Sequence, residues 1–114
     1  MRGIKTLNQE RASFALEQLR DNKSNDKYKI TAKKLPSLIV SNGLIPTLAY
    51  LRAKDDRRDV YYTLNIWLKK KKFIKENEDA LESLVNSDFS KLRLATMEVL
   101  ELANWLKRAS EIET

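Results

Sequence analysis

The sequence predicts an all-α fold, a compact single-domain bundle of about six helices with a long C-terminal helix. Apolar residues recur at intervals of three and four along most of the chain, as they do on the buried face of an amphipathic helix. Only two glycines and two prolines are present, too few for the many turns of a β-sandwich or barrel. A length of 114 residues fits one domain, spanning 1–114, with a single modest core.

The first part of the chain predicts two helices separated by a loop. The first helix is expected from Thr6 to about Arg20, followed by a hydrophilic loop over 21–26. The second is expected from Tyr28 to Asn42, with a break or kink near Pro36 because proline disfavours helical geometry in the residue before it. Gly43 is predicted to end this helix in a left-handed conformation, which is a structural role.

Four further helices are predicted at about Pro46–Ala53, Arg57–Phe73, Glu78–Asn86 and Phe89–Ile112. The segment SNGLIPTLAYLRAK at 41–54 has a helix stop, a helix restart and a basic end, as a DNA-reading helix-turn-helix does. In such a motif the second helix presents polar side chains to base edges. Here the second helix is mostly apolar, so it is predicted to be a core helix and the helix-turn-helix interpretation is disfavoured.

The net charge of +6 is unevenly distributed along the chain. Residues 1–75 contain 18 Lys and Arg against 7 Asp and Glu, a net charge of +11, whereas residues 76–114 contain 4 against 9, a net charge of −5. A basic body with an acidic end suggests a polyanionic partner, a charged protein partner, or both. The alternative is a solvated lysine-rich surface that binds nothing.

The chain has no cysteine and no histidine, which excludes disulfides, zinc sites, a cysteine nucleophile and a histidine base. No nucleophile is paired with a base, so we predict no catalysis, no metal and no cofactor. Asp55, Asp56 and Asp59 lie where a helix begins, and helix capping together with stabilisation of the helix dipole explains them better than a metal site. The absence of a signal peptide and of a long apolar run predicts a cytoplasmic protein without a membrane partner.

The fourth predicted helix carries two apolar faces. The second of them, formed by Tyr62, Ile66 and Phe73, is either a docking surface or is covered by the fifth and sixth helices, and we expect it to be covered. The first is expected in the core. Its members are Val60, Tyr61, Leu64, Trp67 and Leu68.

Four consecutive cations, Lys69, Lys70, Lys71 and Lys72, end the same helix. Consecutive side chains point around a helix, so the four cannot all face one row of phosphates. They suit the negative end of the helix dipole, or, with Lys75 close by, phosphate contacts that make binding strongly salt-dependent. Both interpretations stay open.

Two charged residues fall on faces predicted to be buried. Arg11 lies in the middle of the apolar side of the first helix, and Glu98 lies within the apolar half of the sixth. A buried charge without a partner is very costly. We therefore predict that Arg11 and Glu98 pair with each other, with a structural role in fixing the register between the first and last helices.

Opposite its core side, the sixth helix is predicted to show a mixed surface. Its polar arc includes Arg93, Lys107 and Arg108, and Met97 and Leu100 are embedded in that arc. A mixed cationic and apolar surface is more typical of an interface with protein or RNA than of solvent contact alone.

Seven short motifs are spaced along nearly the whole chain. They are Gln9-Glu10-Arg11-Ala12 with Phe14-Ala15, Lys34-Leu35-Pro36 with Leu38-Ile39, Asn42-Gly43-Leu44, Leu48-Ala49-Tyr50-Leu51 with Lys54, Trp67-Leu68, Leu92-Arg93 with Thr96 and Glu98, and Asn104-Trp105-Leu106-Lys107-Arg108-Ala109. Their order and spacing resemble the small subunit of the type III-B (Cmr) CRISPR effector complex. Leu92 stands where this family is expected to have an aromatic residue, and the run at 69–72 is richer in charge than the family requires.

This resemblance implies an all-helical, non-catalytic protein that stacks in several copies along a ribonucleoprotein filament in antiviral defence. The implied partners are the backbone and large subunits of the complex, neighbouring copies of this chain, and guide and target RNA, while the isolated chain is expected to be a monomer. Target cleavage would belong to the backbone subunits. The resemblance also implies a set of candidate phosphate contacts. They are Lys33, Lys34, Arg52, Lys54, Arg93, Lys107 and Arg108.

Two other hypotheses stay open. A stand-alone basic helical DNA-binding or architectural protein would hold duplex DNA by itself, usually as a symmetric dimer. A purely structural interaction protein would instead direct its cations at acidic surfaces of its partners.

Overall fold

The computed structural model describes residues 3–113, which contain six α-helices and no β-strand. The all-α prediction is confirmed, and the last helix has the bounds that the sequence predicts. The helices are α1 (Leu7–Asp21), α2 (Asp26–Asn42), α3 (Leu44–Arg52), α4 (Asp55–Lys70), α5 (Ala80–Leu84) and α6 (Phe89–Ile112).

The first two helices begin at side-chain caps. Thr6 and Gln9 form a reciprocal capping box, in which the Gln9 amide donates to Thr6 Oγ1 at 3.1 Å and the Thr6 amide donates to Gln9 Oε1 at 2.8 Å. Asn25 caps α2 by accepting the amide hydrogen of Tyr28 at 3.0 Å. Since such caps contribute about 1 kcal/mol each, α2 begins two residues before the predicted start at Tyr28.

Pro36 lies inside α2, and the break predicted there does not occur. Proline cannot donate an amide hydrogen bond to the turn before it, which weakens the helix at this point. On either side of it, however, Leu35 and Ile39 are buried, and α2 packs along α6 and α4. Burial of the apolar face therefore keeps the helix continuous, an example of tertiary packing overriding local preference.

Gly43 joins α2 to α3 as a single-residue corner with φ of 85° and ψ of 169°. Its positive φ, which the sequence predicts, is readily reached only by glycine. The Gly43 amide donates to Ile39 O at 2.8 Å, and its carbonyl accepts the Thr47 hydroxyl at 2.8 Å. Because Gly43 alone connects the two helices, α3 begins at Leu44 and not at Pro46. Pro46 still lies in the first turn, where its missing amide hydrogen costs no helical hydrogen bond.

The fourth helix begins at Asp55, two residues earlier than predicted, and ends at Lys70, three residues earlier. Asp55 and Asp56 therefore stand in its first turn, where their charge complements the helix dipole. The capping predicted for them is wrong, because the N-cap position is Lys54 and no side chain within 3–113 caps this helix. At the other end the Phe73 amide donates to Leu68 O at 2.9 Å and the Lys72 amide donates to Lys69 O at 3.0 Å. This is the hydrogen-bond pattern of a Schellman motif, and Lys72 occupies its left-handed position with φ of 67°.

A polar network holds the short helix α5 against α4. Asp79 caps α5, and both of its carboxylate oxygens lie 2.7 Å from the Tyr61 hydroxyl, which donates to them. Asn65 Oδ1 accepts the Ala80 amide at 2.7 Å. Burial alone would raise the pKa of Asp79, but its hydrogen bonds from Tyr61, the Glu82 amide and Asn65 hold the pKa below the usual value. The segment 71–88 thus has a defined path although only five of its residues are helical.

One apolar core joins the helices, with α6 packed along both α1 and α2, and α4 packed on α2 and α3. The radius of gyration is 13.6 Å, close to the value of about 13 Å expected of a compact chain of this length. Within 3–113 no helix combines the length and apolar character needed to cross a membrane. The core face predicted on α4 is confirmed, since all of its members are buried. They are Val60, Tyr61, Leu64, Trp67 and Leu68.

Candidate nucleic-acid interface

The four consecutive lysines at 69–72, where α4 ends and the following turn begins, point into different surroundings. Lys71 turns inward, where its Nζ lies 2.6 Å from Glu10 Oε2 and 5.0 Å from the centre of the Trp67 ring. Lys70 Nζ lies 5.9 Å from the centre of the Phe14 ring. Lys69 and Lys72 face the other way, into a cleft. Lys71 is therefore a structural cation in this fold, and a phosphate contact by all four residues is not available on one surface.

The cleft that receives Lys69 and Lys72 also contains Lys75 and Lys91, and we call it the lysine cleft. It has a volume of about 420 Å³ and lies between the end of α4, the following loop and the first turn of α6. Sequence reasoning placed Lys75 nearby but missed Lys91, because no local pattern connects the start of α6 with the end of α4. The full lining is Lys69, Lys72, Phe73, Ile74, Lys75, Glu76, Glu78 and Lys91.

Arg52, a predicted phosphate contact, is held by carboxylates of its own chain. Its Nη1 lies 3.0 Å from Asp79 Oδ2 and 3.1 Å from Glu82 Oε1, so it belongs to the network around α5. A phosphate would have to compete with both carboxylates for this guanidinium. Arg52 as a phosphate contact stays a prediction, and the structure gives it a structural role beside that.

The other cations implied by the resemblance are exposed but dispersed. Lys33 and Lys34 lie on the surface of α2, and Lys54 lines a groove at the start of α4 together with Asp55, Asp56 and Arg58. Arg93 lines an apolar groove between α3 and α6. Near the end of α6, Lys107 is exposed and Arg108 lines a further groove beside Trp105, Asn8 and Glu111. Lys54, Arg93 and Arg108 thus line three different grooves.

Arg11 and Glu98 pair as the sequence predicts, and with Trp67 they form what we call the α1–α6 seam. Arg11 Nε donates to Glu98 Oε2 at 2.8 Å, Arg11 Nη2 donates to Oε1 at 2.6 Å, and Trp67 Nε1 donates to Oε2 at 3.0 Å. The two charged side chains are only 13% and 10% exposed. Burial alone would raise the pKa of Glu98, but hydrogen bonds from Arg11 and Trp67 outweigh it and hold the pKa below its usual value.

The second apolar face of α4 is not covered, contrary to the sequence-based expectation. Tyr62 and Ile66 are 52% and 49% exposed, whereas Phe73 is half-buried against the core. The reason is that α5 is only five residues long and α6 packs mainly along α1 and α2. The docking-surface interpretation, set aside on the sequence alone, is therefore the one this geometry allows.

A further apolar surface follows the exposed side of α6. Met97 lines two neighbouring grooves, one shared with Ile45 and Phe89 and the other with Phe73 and Leu94. Phe89, Leu94 and Met97 are 79%, 53% and 53% exposed. Such a run of exposed apolar side chains beside Arg93 has the composition of a protein interface.

Within 3–113 no three acidic side chains are grouped closely enough to form a metal site. Asp55 pairs with Arg58, and Asp59 Oδ2 accepts the Asn25 side-chain amide at 3.2 Å. The Asp55 pair lies within the start of α4, and the Asp59 contact joins α4 to the cap of α2.

Comparison with known proteins shows the family to which this sequence belongs. The family model described as CRISPR-associated protein (Cas_Cmr5) matches residues 7–113, nearly the entire described chain. The CRISPR system Cmr subunit Cmr5 of Thermotoga maritima is 31% identical over 115 aligned residues, which cover 96% of this chain and 85% of that protein. The match includes every helix from α1 to α6. The chain therefore belongs to the Cmr5 family of CRISPR-associated proteins.

Proposed function

We propose that this chain is a non-catalytic small subunit of a type III-B Cmr CRISPR ribonucleoprotein effector. It stacks along the filament and helps to bind guide and target RNA through its basic surface, in cytoplasmic antiviral defence. The observation that carries the proposal is the family match over 7–113, because it covers the whole helical fold and not one motif. A relative named as a Cmr subunit supports membership of the same kind of complex.

The surface of the molecule supports a role in assembly. Exposed apolar side chains lie on α4, at Tyr62 and Ile66, and on α6, around Met97. A closed two-fold dimer needs only one self-complementary patch, whereas a filament needs two different patches that meet head to tail. Apolar surfaces on two different helices fit the second case. The partners in this proposal are the backbone and large subunits and neighbouring copies of the chain.

The charge distribution supports contact with RNA. The net charge of +11 over residues 1–75 suits a polyanion, and lysines position a phosphate backbone without reading its bases. Sequence recognition would then be left to pairing between guide and target, as in other RNA-guided effectors. Catalysis is assigned to other subunits, since this chain has no histidine or cysteine to act as base or nucleophile.

Capture from the native host tests the proposal. The tagged chain is isolated at low salt, and the bound RNA and partner proteins are identified by sequencing and mass spectrometry. Recovery in a large particle with short guide-like RNAs and several partner subunits is the expected result. A lone monomer, or a symmetric dimer carrying duplex DNA, would overturn the proposal and favour the stand-alone DNA-binding hypothesis. A particle whose RNA content survives charge reversal at Lys69 and Lys72 would favour a purely structural role.

A further inference from the structure

We infer that the lysine cleft is a binding site for the phosphodiester groups of a single RNA strand. The inference rests on the proposed function and adds to it a defined site and the residues that form it. Lys69, Lys72, Lys75 and Lys91 come from the end of α4, the following loop and the start of α6, and all line the same cleft of about 420 Å³. Such a concentration of like charge in one concave site raises the local concentration of an anion.

The four ammonium groups have no partner of their own. Among residues 3–113 none of them makes a hydrogen bond or an ion pair, in contrast to Lys71 of the same run. The cleft also contains Glu76 and Glu78, but Glu78 Oε1 accepts the Lys75 backbone amide at 2.7 Å and is directed at its own loop. Four unpaired cations beside two carboxylates leave a positive cleft.

Two residues of the cleft stand where local stability disfavours them. Lys72 occupies a left-handed position with φ of 67°, which costs a side-chain-bearing residue free energy that glycine avoids. Lys91 stands in the first turn of α6, where the positive end of the helix dipole disfavours a cation. Both residues therefore stand against local conformational or electrostatic preference, and neither side chain has a structural partner within 3–113. Such positions are typical of residues that are selected for function.

The chemistry of the cleft favours a strand over a small anion. Lysine is a flexible point charge, unlike the planar fork of arginine that grips one phosphate with two bonds. Lysines spread over three segments therefore suit successive phosphates of a chain. Phe73 lines the same cleft and is partly exposed, which offers a ring for base stacking. Cations that follow a backbone beside an aromatic ring are the usual elements of single-strand binding.

The test compares two double variants that remove the same charge. Lys72→Gln/Lys91→Gln alters the cleft, whereas Lys5→Gln/Lys23→Gln removes two exposed lysines elsewhere. Binding of a single-stranded 12-nucleotide RNA to the full chain is followed at low salt by fluorescence anisotropy, and its location by amide NMR shifts. We expect the cleft variant to weaken binding about tenfold and to lower the salt slope by about 1.4, with the control changing affinity less than about twofold.

Three results would overturn the inference. The first is that the two variants weaken RNA binding equally, and the second is that the amides of residues 69–78 and 91 show no NMR shifts at millimolar RNA. The third is that stoichiometric inorganic pyrophosphate displaces the RNA, which would indicate a small-anion site. The host capture experiment separates this failure from failure of the proposed function. If the wild-type chain is recovered in an RNA-containing particle while the cleft variant binds RNA like its control, only the site assignment is wrong.

Discussion

The α1–α6 seam and the lysine cleft place charged side chains under opposite conditions. In the seam, Arg11 and Glu98 are almost removed from solvent, and Glu98 accepts three hydrogen bonds from Arg11 and Trp67. In the lysine cleft, four ammonium groups share one space with no partner in the described chain. A charge that is satisfied within the fold contributes to stability, whereas a charge left unsatisfied on a concave surface is available to a ligand. The two regions therefore separate the structural cations of this protein from its candidate binding cations.

The largest effect is expected from Glu98→Ala, which breaks the seam. It leaves Arg11 charged and poorly hydrated and leaves Trp67 Nε1 without an acceptor, so we expect a loss of about 3 kcal/mol in the free energy of unfolding, measured by urea denaturation. Glu111→Ala, on the exposed side of the same helix, is the control and should change stability little. The double variant Arg11→Leu/Glu98→Leu should recover part of the loss, because it removes both charges together but still leaves Trp67 Nε1 without an acceptor. Equal stability of Glu98→Ala and the control would contradict a structural role.

The same pair should make the seam sensitive to acid. Because the pKa of Glu98 is lower in the folded state than the usual 4.5, its stabilising contribution is complete above that value and is lost as the pH falls through the folded pKa. We expect the stability difference between wild type and Glu98→Gln to be constant from pH 7 to about pH 5 and to shrink below about pH 4.5. Chemical denaturation across this range measures it, with Glu17→Gln as the exposed control. A difference that does not change with pH would show that the carboxylate charge has no part in the seam.

A smaller effect should distinguish two adjacent lysines. Lys71→Gln removes a cation that packs on Trp67, a contact worth roughly 0.5–1 kcal/mol, and it also breaks the pair with Glu10. Lys72→Gln removes the same charge from the lysine cleft and should leave stability nearly unchanged. RNA affinity should respond in the opposite order, with Lys72→Gln the weaker binder. The division of the run would be wrong if the two variants behaved alike in thermal denaturation and in RNA binding.

What the sequence could predict followed from periodicity and from the cost of burial. The bounds of α6, the core face of α4 and the pairing of Arg11 with Glu98 all belong to this class, since each depends on which face of a helix is apolar. Pro36 shows the limit of local rules, because burial of α2 against its neighbours keeps the helix continuous through it.

The parts that could not be predicted depend on the path of the chain between α4 and α6. No local pattern shows that α5 is only five residues long, and that length decides that Tyr62 and Ile66 remain exposed. The same path brings Lys91 to the end of α4 and completes the lysine cleft. The different surroundings of residues 69–72 likewise depend on the turn at Lys72, since α4 ends at Lys70, two residues before the run is complete.

The smallest effect, and the one that most directly tests why the cleft has its sequence, is expected from Lys72→Gly. Glycine adopts the φ of 67° at this position without the steric cost that lysine bears, so we expect the free energy of unfolding to rise by about 0.5–1 kcal/mol. Lys71→Gly should have the opposite effect and destabilise the protein, because Lys71 has a φ of −91° and glycine there gains nothing while it loses the contacts with Glu10 and Trp67.

RNA affinity of Lys72→Gly should fall as it does for Lys72→Gln. A variant that is more stable and binds more weakly would show that the lysine is kept at a strained position for its charge, in line with the trade-off between stability and function seen at binding sites. If Lys72→Gly instead gains stability and binds RNA as tightly as wild type, the left-handed lysine has no role in binding, and the lysine cleft would have to act through Lys69, Lys75 and Lys91 alone.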